Sequence, residues 1–141
     1  QIARMFYPTA DLDYPDNNLF RSDDVKSNFP NVKFGKNVLI GKNVKIGDNT
    51  EIGENLYVIT NDHVWNDENS PLGKQGIKTK SIEIGKGVYI GSNVTILSGV
   101  KISDNVVIGA SSLVNKDLES GFLYCGVPAK QIKPLFDANK N

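Results

Sequence analysis

The chain has 141 residues, enough for one domain of ordinary size, and its 16 Lys and Arg balance 16 Asp and Glu, leaving a formal charge of zero. No basic block or stripe provides the field that nucleic acid or an anionic membrane needs. Apolar runs such as Val106-Val107-Ile108 fall far short of the roughly 20 residues that cross a bilayer, so the sequence reads as a soluble, cytoplasmic protein.

Residues 1–33 have no period but contain Phe6, Tyr7, Leu12, Tyr14, Leu19, Phe20 and Phe29. This apolar content suits a segment that covers the open end of the next element. A part in acceptor binding is the sharper alternative.

From Phe34 the period is six: FGKNVL, IGKNVK, IGDNTE, IGENLY, with Phe34, Ile40, Ile46 and Ile52 leading each unit and Val58 on the next beat. Four residues after each leader stands a second small or β-branched residue: Val38, Val44, Thr50, Leu56. A 3.6-residue helix would scatter a six-residue period around its circumference, whereas short β-branched strands joined by Gly and Asn turns sustain it. Three units close one triangular coil of 18 residues, with leaders stacked on leaders. Asn43, Asn49, Asn55, Asn93 and Asn105 recur at matching turn positions, where asparagine tolerates a left-handed backbone.

The period then breaks, and Val58 is separated from Ile84 by 26 residues, two more than four units. A loop must leave the prism over about 59–83. Its stretch from Asn66 to Lys80 is polar, carries Pro71, Gly73 and Gly76, and is expected to be an exposed excursion.

The repeat resumes as IGKGVY, IGSNVT, ILSGVK, ISDNVV and IGASSL, led by Ile84, Ile90, Ile96, Ile102 and Ile108, with Val114 next. Its second inward positions are Val88, Val94, Val100, Val106, Ser112 and Leu118. The expected organisation is a cap over 1–33, a parallel β-helix of four or five coils over 34–121, and a C-terminal segment over 122–141. One such coil cannot bury its own faces, so a stack is required.

The sequence has one histidine, His63, at the root of the excursion. Its side chain is the type best suited to take a proton from a hydroxyl or amine near neutral pH. A lone histidine on a loop can equally be surface decoration or a satisfied hydrogen-bonding group. Asn61, Asp62 and Glu83 are the nearby candidates to orient its ring. Trp65 could wall an acceptor site or anchor the loop. Cys125 is the only thiol, and with one histidine it cannot supply the four protein ligands of a structural zinc site, so no metal is expected.

Together the repeats, the ITNDH segment, and GVYIGSNVTILSGVKISDNVVIGASSLVNKDL followed by GVPAKQIK resemble the hexapeptide-repeat acyltransferases, most nearly the sugar and xenobiotic O-acetyltransferases. The resemblance covers roughly residues 34–135 and implies a left-handed winding. It also implies that His63 is the base, acetyl-CoA the acyl donor, and the assembly a homotrimer with active sites between subunits. Carried over by motif, the implied CoA contacts are Tyr89, Ser92 in IGSNV, Ala110 in IGAS, Asn115 and Lys116 in VNKD, and Lys130 and Lys133 in GVPAKQIK. Ordinary turn chemistry would equally explain Ser92 and Ala110, and a solvated surface charge each lysine. The chain departs from the pattern at Tyr89, where tryptophan is common, at Ser111, where glycine is usual, and at Asn115, where threonine is usual.

The γ-class carbonic anhydrases share such a prism, but their zinc site needs three histidines. A nucleotidyltransferase would need a nucleotide-binding domain on another chain. An ice-binding face would need an array of threonines in place of the Lys, Asp, Asn and Glu found at the turns. The expected function is acetyl transfer to a hydroxyl or amine of a sugar-containing acceptor without a covalent acyl-enzyme. Transfer to serine or an antibiotic, or a non-catalytic scaffold subunit, are the alternatives.

Overall fold

A computed structural model describes residues 19–137. The hexapeptide units become strands of two or three residues that fall in strict rotation onto three faces. The first face stacks Lys33–Phe34, Glu51–Ile52, Tyr89–Ile90, Val107–Ile108 and Phe122–Gly126, all parallel. The second stacks Leu39–Gly41, Tyr57–Val58, Thr95–Ile96 and Leu113–Val114. The third stacks Val44–Ile46, Ile82–Ile84 and Lys101–Ile102, closed by a bridge from Ile102 to Leu118.

Leaders pair with leaders: Ile46 with Ile84, Ile52 with Ile90, Val58 with Ile96, Ile96 with Val114. Leu56, Val58, Ile90, Val94, Ile96, Val106, Ile108 and Val114 are completely buried. Burying such a side chain stabilises by about 1.5–3 kcal/mol each, so the ladder supplies most of the driving force. Thr50 and Ser112, polar residues at the second inward position, are satisfied internally. Thr50 Oγ1 donates to the Gly85 carbonyl at 2.8 Å and accepts from the Val88 amide at 3.2 Å. Ser112 Oγ donates to the Gly109 carbonyl at 2.6 Å and accepts from the Gly126 amide at 3.1 Å.

The five turn asparagines singled out above have φ between 53° and 62°, and Asn37, at 58°, joins them. Asn37 Nδ2 donates to Asn55 Oδ1 at 3.2 Å, so turns also stack on turns. Ser111 adopts φ 60°, which accounts for the glycine expected there on resemblance.

Coil length is not constant. Lys33 and Glu51 are ion-paired neighbours 18 residues apart, whereas Thr50 and Val88, bonded across the coil that bears the excursion, are 38 apart. In the last coil Asp117 Oδ1 accepts from the Lys101 amide only 16 residues away. Leu118 therefore stacks on the leader Ile102 rather than on the second inward position of the coil below. Ile82, which the hexapeptide pattern passed over, is fully buried and pairs with Val44.

At one end Leu19–Arg21 runs antiparallel to Leu39–Gly41, followed by a short helix, Ser22–Val25. Val25, Val32 and Phe34 pack against the core, and the Phe29 ring meets Phe34 edge-on at 6.0 Å. Of the apolar residues assigned to the cap, Phe6, Tyr7, Leu12 and Tyr14 lie outside the described residues. At the other end Phe122–Gly126 continues the first face, and Ala129–Pro134 folds back on it antiparallel. Buried Tyr124 ties this hairpin down, its hydroxyl accepting from the Glu119 amide at 2.9 Å and donating to Gln131 Oε1 at 3.2 Å. Among the described residues no helix is long and apolar enough to cross a membrane.

The closeness of successive coils gives a direct test. A Cβ on Gly47 would lie 2.6 Å from the backbone of Gly85 and Lys86, whereas one on Gly73 would meet nothing within 4 Å. Gly47→Ala should cost about 1–3 kcal/mol and lower the urea midpoint at unchanged slope. Gly73→Ala should leave the midpoint unchanged.

Candidate active site

The twenty extra residues of the long coil form an antiparallel ribbon, Asn61–His63 paired with Ile77–Thr79, leaving the corner between the second and third faces. The Lys80 amide donates to the Thr60 carbonyl and the Val64 amide to the Gly76 carbonyl, both at 2.9 Å. His63 and Ile77, like Asn61 and Thr79, are thus non-hydrogen-bonded partners, the kind whose side chains come closest. At the root, Thr79 Oγ1 donates to buried Asn61 Oδ1 at 2.8 Å.

Strand alternation gives the ribbon two sides. His63, half-buried, shares one with Ile77 across the ribbon and Trp65 two residues on; Trp65 is 66% exposed. Asp62 and Lys78 share the other. Asp62 is held there by the prism, its Oδ2 accepting a hydrogen bond from Ser98 Oγ.

The third candidate to orient the ring, Glu83, lies on the third face between Lys45 and Lys101 in register. With Asp117 bonded to the Lys101 amide, that face carries alternating charges and is well solvated. The second face is different: its outward row is Leu39, Tyr57, Thr95 and Leu113, all half-buried.

The residues implied as CoA contacts fall into three groups. Ser92 and Ala110 occupy one corner on adjacent coils, two residues past the paired Ile90 and Ile108, where the Ser111 amide donates to the Ser92 carbonyl at 2.8 Å. Asn115 and Lys116, both exposed, occupy the opposite edge of the second face. There Lys116 stands one coil beyond Ser98, the residue that holds Asp62. The third group lies on the first face. Tyr89, 53% exposed, is followed in register by Val107 and Leu123, and Lys133 pairs with Leu123. Lys130 sits opposite Cys125 on the same terminal hairpin. An apolar strip ending in lysines suits an acyl-carrying arm with phosphates at its far end.

Beyond His63 the ribbon ends in a compact tip that sequence reasoning saw only as polar. Gln75 Oε1 accepts from the amides of Asn66 and Asp67, both at 2.9 Å. Its Nε2 donates to the carbonyls of Asp67 at 2.8 Å and Ser70 at 3.0 Å. Asp67 accepts from the Asn69 amide and the Ser70 hydroxyl, and these bonds, the former foremost, hold its pKa below the ordinary carboxylate value. Leu72 on this tip and Ile77 opposite His63 remain exposed. Among the described residues no group of three His, Cys, Asp or Glu side chains could hold a metal ion.

Two family models match the repeats: bacterial transferase hexapeptide (six repeats) over residues 81–116, and hexapeptide repeat of succinyl-transferase over residues 31–59. No curated protein matches the chain by sequence. Similar solved structures include a maltose O-acetyltransferase from Clostridium difficile, at 23% identity over 96% of this chain and 83% of that one, with a TM-score of 0.66. A hexapeptide-repeat acetyltransferase from Vibrio cholerae, complexed with acetyl-CoA, is 27% identical over 74% of this chain and 66% of that one, with a TM-score of 0.56. A variant of an N-acyltransferase from Bacillus cereus, in complex with dTDP-4-amino-4,6-dideoxyglucose and coenzyme A, is 20% identical over 85% and 91%, with a TM-score of 0.54.

The tip should respond to acid in a defined direction. Because its bonds depress the Asp67 pKa in the folded state, their contribution is complete above the unfolded carboxylate value and is lost as pH falls through the lowered folded one. Backbone nitrogen relaxation should show Asn69 and Ser70 ordered at neutral pH and mobile at the acid end. Gln75→Ala should loosen residues 66–75 at every pH while leaving the core strands as protected as before, because the tip opens locally, outside the coil ladder.

Proposed function

We propose that this hexapeptide-repeat chain is an acetyl-CoA-dependent acetyltransferase, wound as a left-handed parallel β-helix, that acts on a hydroxyl or amine of a sugar-containing acceptor. One observation carries the reading. The only histidine of the sequence is held on the excursion at the same prism corner that Asn115 and Lys116 occupy two coils further along. The acetyl-CoA bound in the Vibrio cholerae structure and the nucleotide-linked amino sugar in the Bacillus cereus one support the donor and the acceptor class.

In this reading His63 takes the proton from the acceptor hydroxyl or amine as that atom attacks the thioester carbonyl. The tetrahedral intermediate then collapses, the carbon–sulfur bond breaks, and the CoA thiolate takes the proton back from His63. No acyl-enzyme forms: Cys125, the single thiol, is half-buried on the terminal hairpin. Trp65 and Ile77, on the His63 side of the ribbon, give an apolar wall to the acceptor ring.

Tyr89, Lys130 and Lys133 would carry the donor along the first face, with Ser92 and Ala110 at its edge. Those positions and the ribbon flank opposite edges of the apolar second face. Their separation supports a homotrimer, each active site completed between neighbouring prisms. A cytoplasmic location fits a donor made inside the cell.

Thiol release from acetyl-CoA, followed over a panel of nucleotide-sugars, simple sugars, serine and aminoglycosides, tests the reading. One acceptor class should stimulate release, and His63→Ala should lower kcat/KM by about 10²–10⁴-fold. Failure of acetyl-CoA to bind would favour a scaffold subunit, and an acetyl group trapped on Cys125 or a serine would contradict direct transfer.

A further inference from the structure

A hydrogen bond from Ser98 to Asp62 links the hexapeptide corner to the first strand of the ribbon. From it we infer that Ser98 and Asp62 form a positioning clamp that sets where His63 stands relative to the prism. This rests on the proposed role of His63 as base.

The ribbon leaves the prism through residues 60 and 80 and is otherwise an excursion, so its angle to the corner is not fixed by the coil ladder. Asp62 immediately precedes His63 in the same strand, and alternation turns the two side chains to opposite sides. A carboxylate anchored on the prism side therefore fixes the strand that carries the imidazole on the other. The bond is charge-assisted and half-buried, which makes it stronger than a neutral surface contact. The same corner also meets the chain just past the ribbon's return strand. Gly99, at φ 80°, leaves room for the Lys80 side chain, which would lie 3.2 Å from a Cβ placed there. Ser98 and Gly99 thus meet the ribbon on its outgoing strand and where the chain returns from it.

Asp62 in this account does not polarise the imidazole. It transmits position. Because a displacement of about 1 Å can cost on the order of 10²-fold in rate, a clamp on the residue beside the base has a kinetic signature separate from folding.

The test uses the intact chain without added histidines, in which His63 gives the only imidazole resonance. In Ser98→Ala, kcat should fall about 10–100-fold while the KM for acetyl-CoA and the urea midpoint stay unchanged. The imidazole signal, recorded without substrates, should broaden or show increased mobility. Ser98→Thr, which keeps the hydroxyl, should restore both. Asp62→Ala should reproduce the Ser98→Ala loss, and the double variant should be no worse than either single one. An unchanged imidazole signal and kcat in Ser98→Ala, additive losses in the double variant, or failure of Ser98→Thr to rescue would overturn the clamp. If His63→Ala itself retained full activity, the base assignment would fall, while the substrate-free imidazole signal would still decide whether the clamp orders His63.

Discussion

Everything in this structure depends on the axial hydrogen bonds between successive coils, each of which requires an inward residue to lie on its like one coil away. Ile52 can be buried only because Ile90 covers it, and Ile90 only because Ile108 does. A chain built this way cannot absorb an extra residue locally, since a slip moves inward side chains outward. Insertions must leave the prism at a corner and return to the same corner. The excursion obeys this rule: Thr60 and Lys80 are hydrogen-bonded to each other, and the ladder resumes at Ile82 in register with Val44.

That constraint also assigns chemistry to places. The faces are filled by requirement, with backbone paired along the axis and side chains committed to the core, so variation is confined to outward rows, corners and the excursion. The third face carries alternating lysine and acidic residues. The second is apolar, and the first runs from the Lys33–Glu51 ion pair to Tyr89, Val107 and Leu123. The single histidine stands where the repeat is interrupted, on the ribbon that Ser98 ties to the prism corner. The proposed activity follows from placing a proton acceptor on an element that is outside the ladder yet anchored to it.

Most of the prism was legible in the sequence because period six is a physical requirement rather than a preference. Every inward position read from Val38 to Val114 is buried or half-buried, and the turn asparagines all take left-handed backbone angles. Ile82 escaped because it precedes the leader at which the pattern resumes, although the alternation Ile82-Glu83-Ile84 was its signal. The role of Leu118 shifted because the last coil is two residues short, a change that a strict period cannot announce. His63 was found by scarcity and position. Ser98 was not, since within ILSGVK it reads as an ordinary turn serine, and only the fold brings it to Asp62. The Gln75 knot was equally silent, because bonds within a polar loop leave no periodic trace.

We place acyl transfer at the corner where the ribbon joins the prism. A crystal structure with a non-hydrolysable acetyl-CoA analogue tests it most directly. The pantetheine arm should run from the Tyr89 strip, with its adenine end near Lys130 or Lys133. The acyl group should lie within one acceptor's width of His63, from the same or a neighbouring prism. An analogue lying along the charged row of Lys45, Glu83 and Lys101, or with its acyl group remote from every His63 in the assembly, would contradict it.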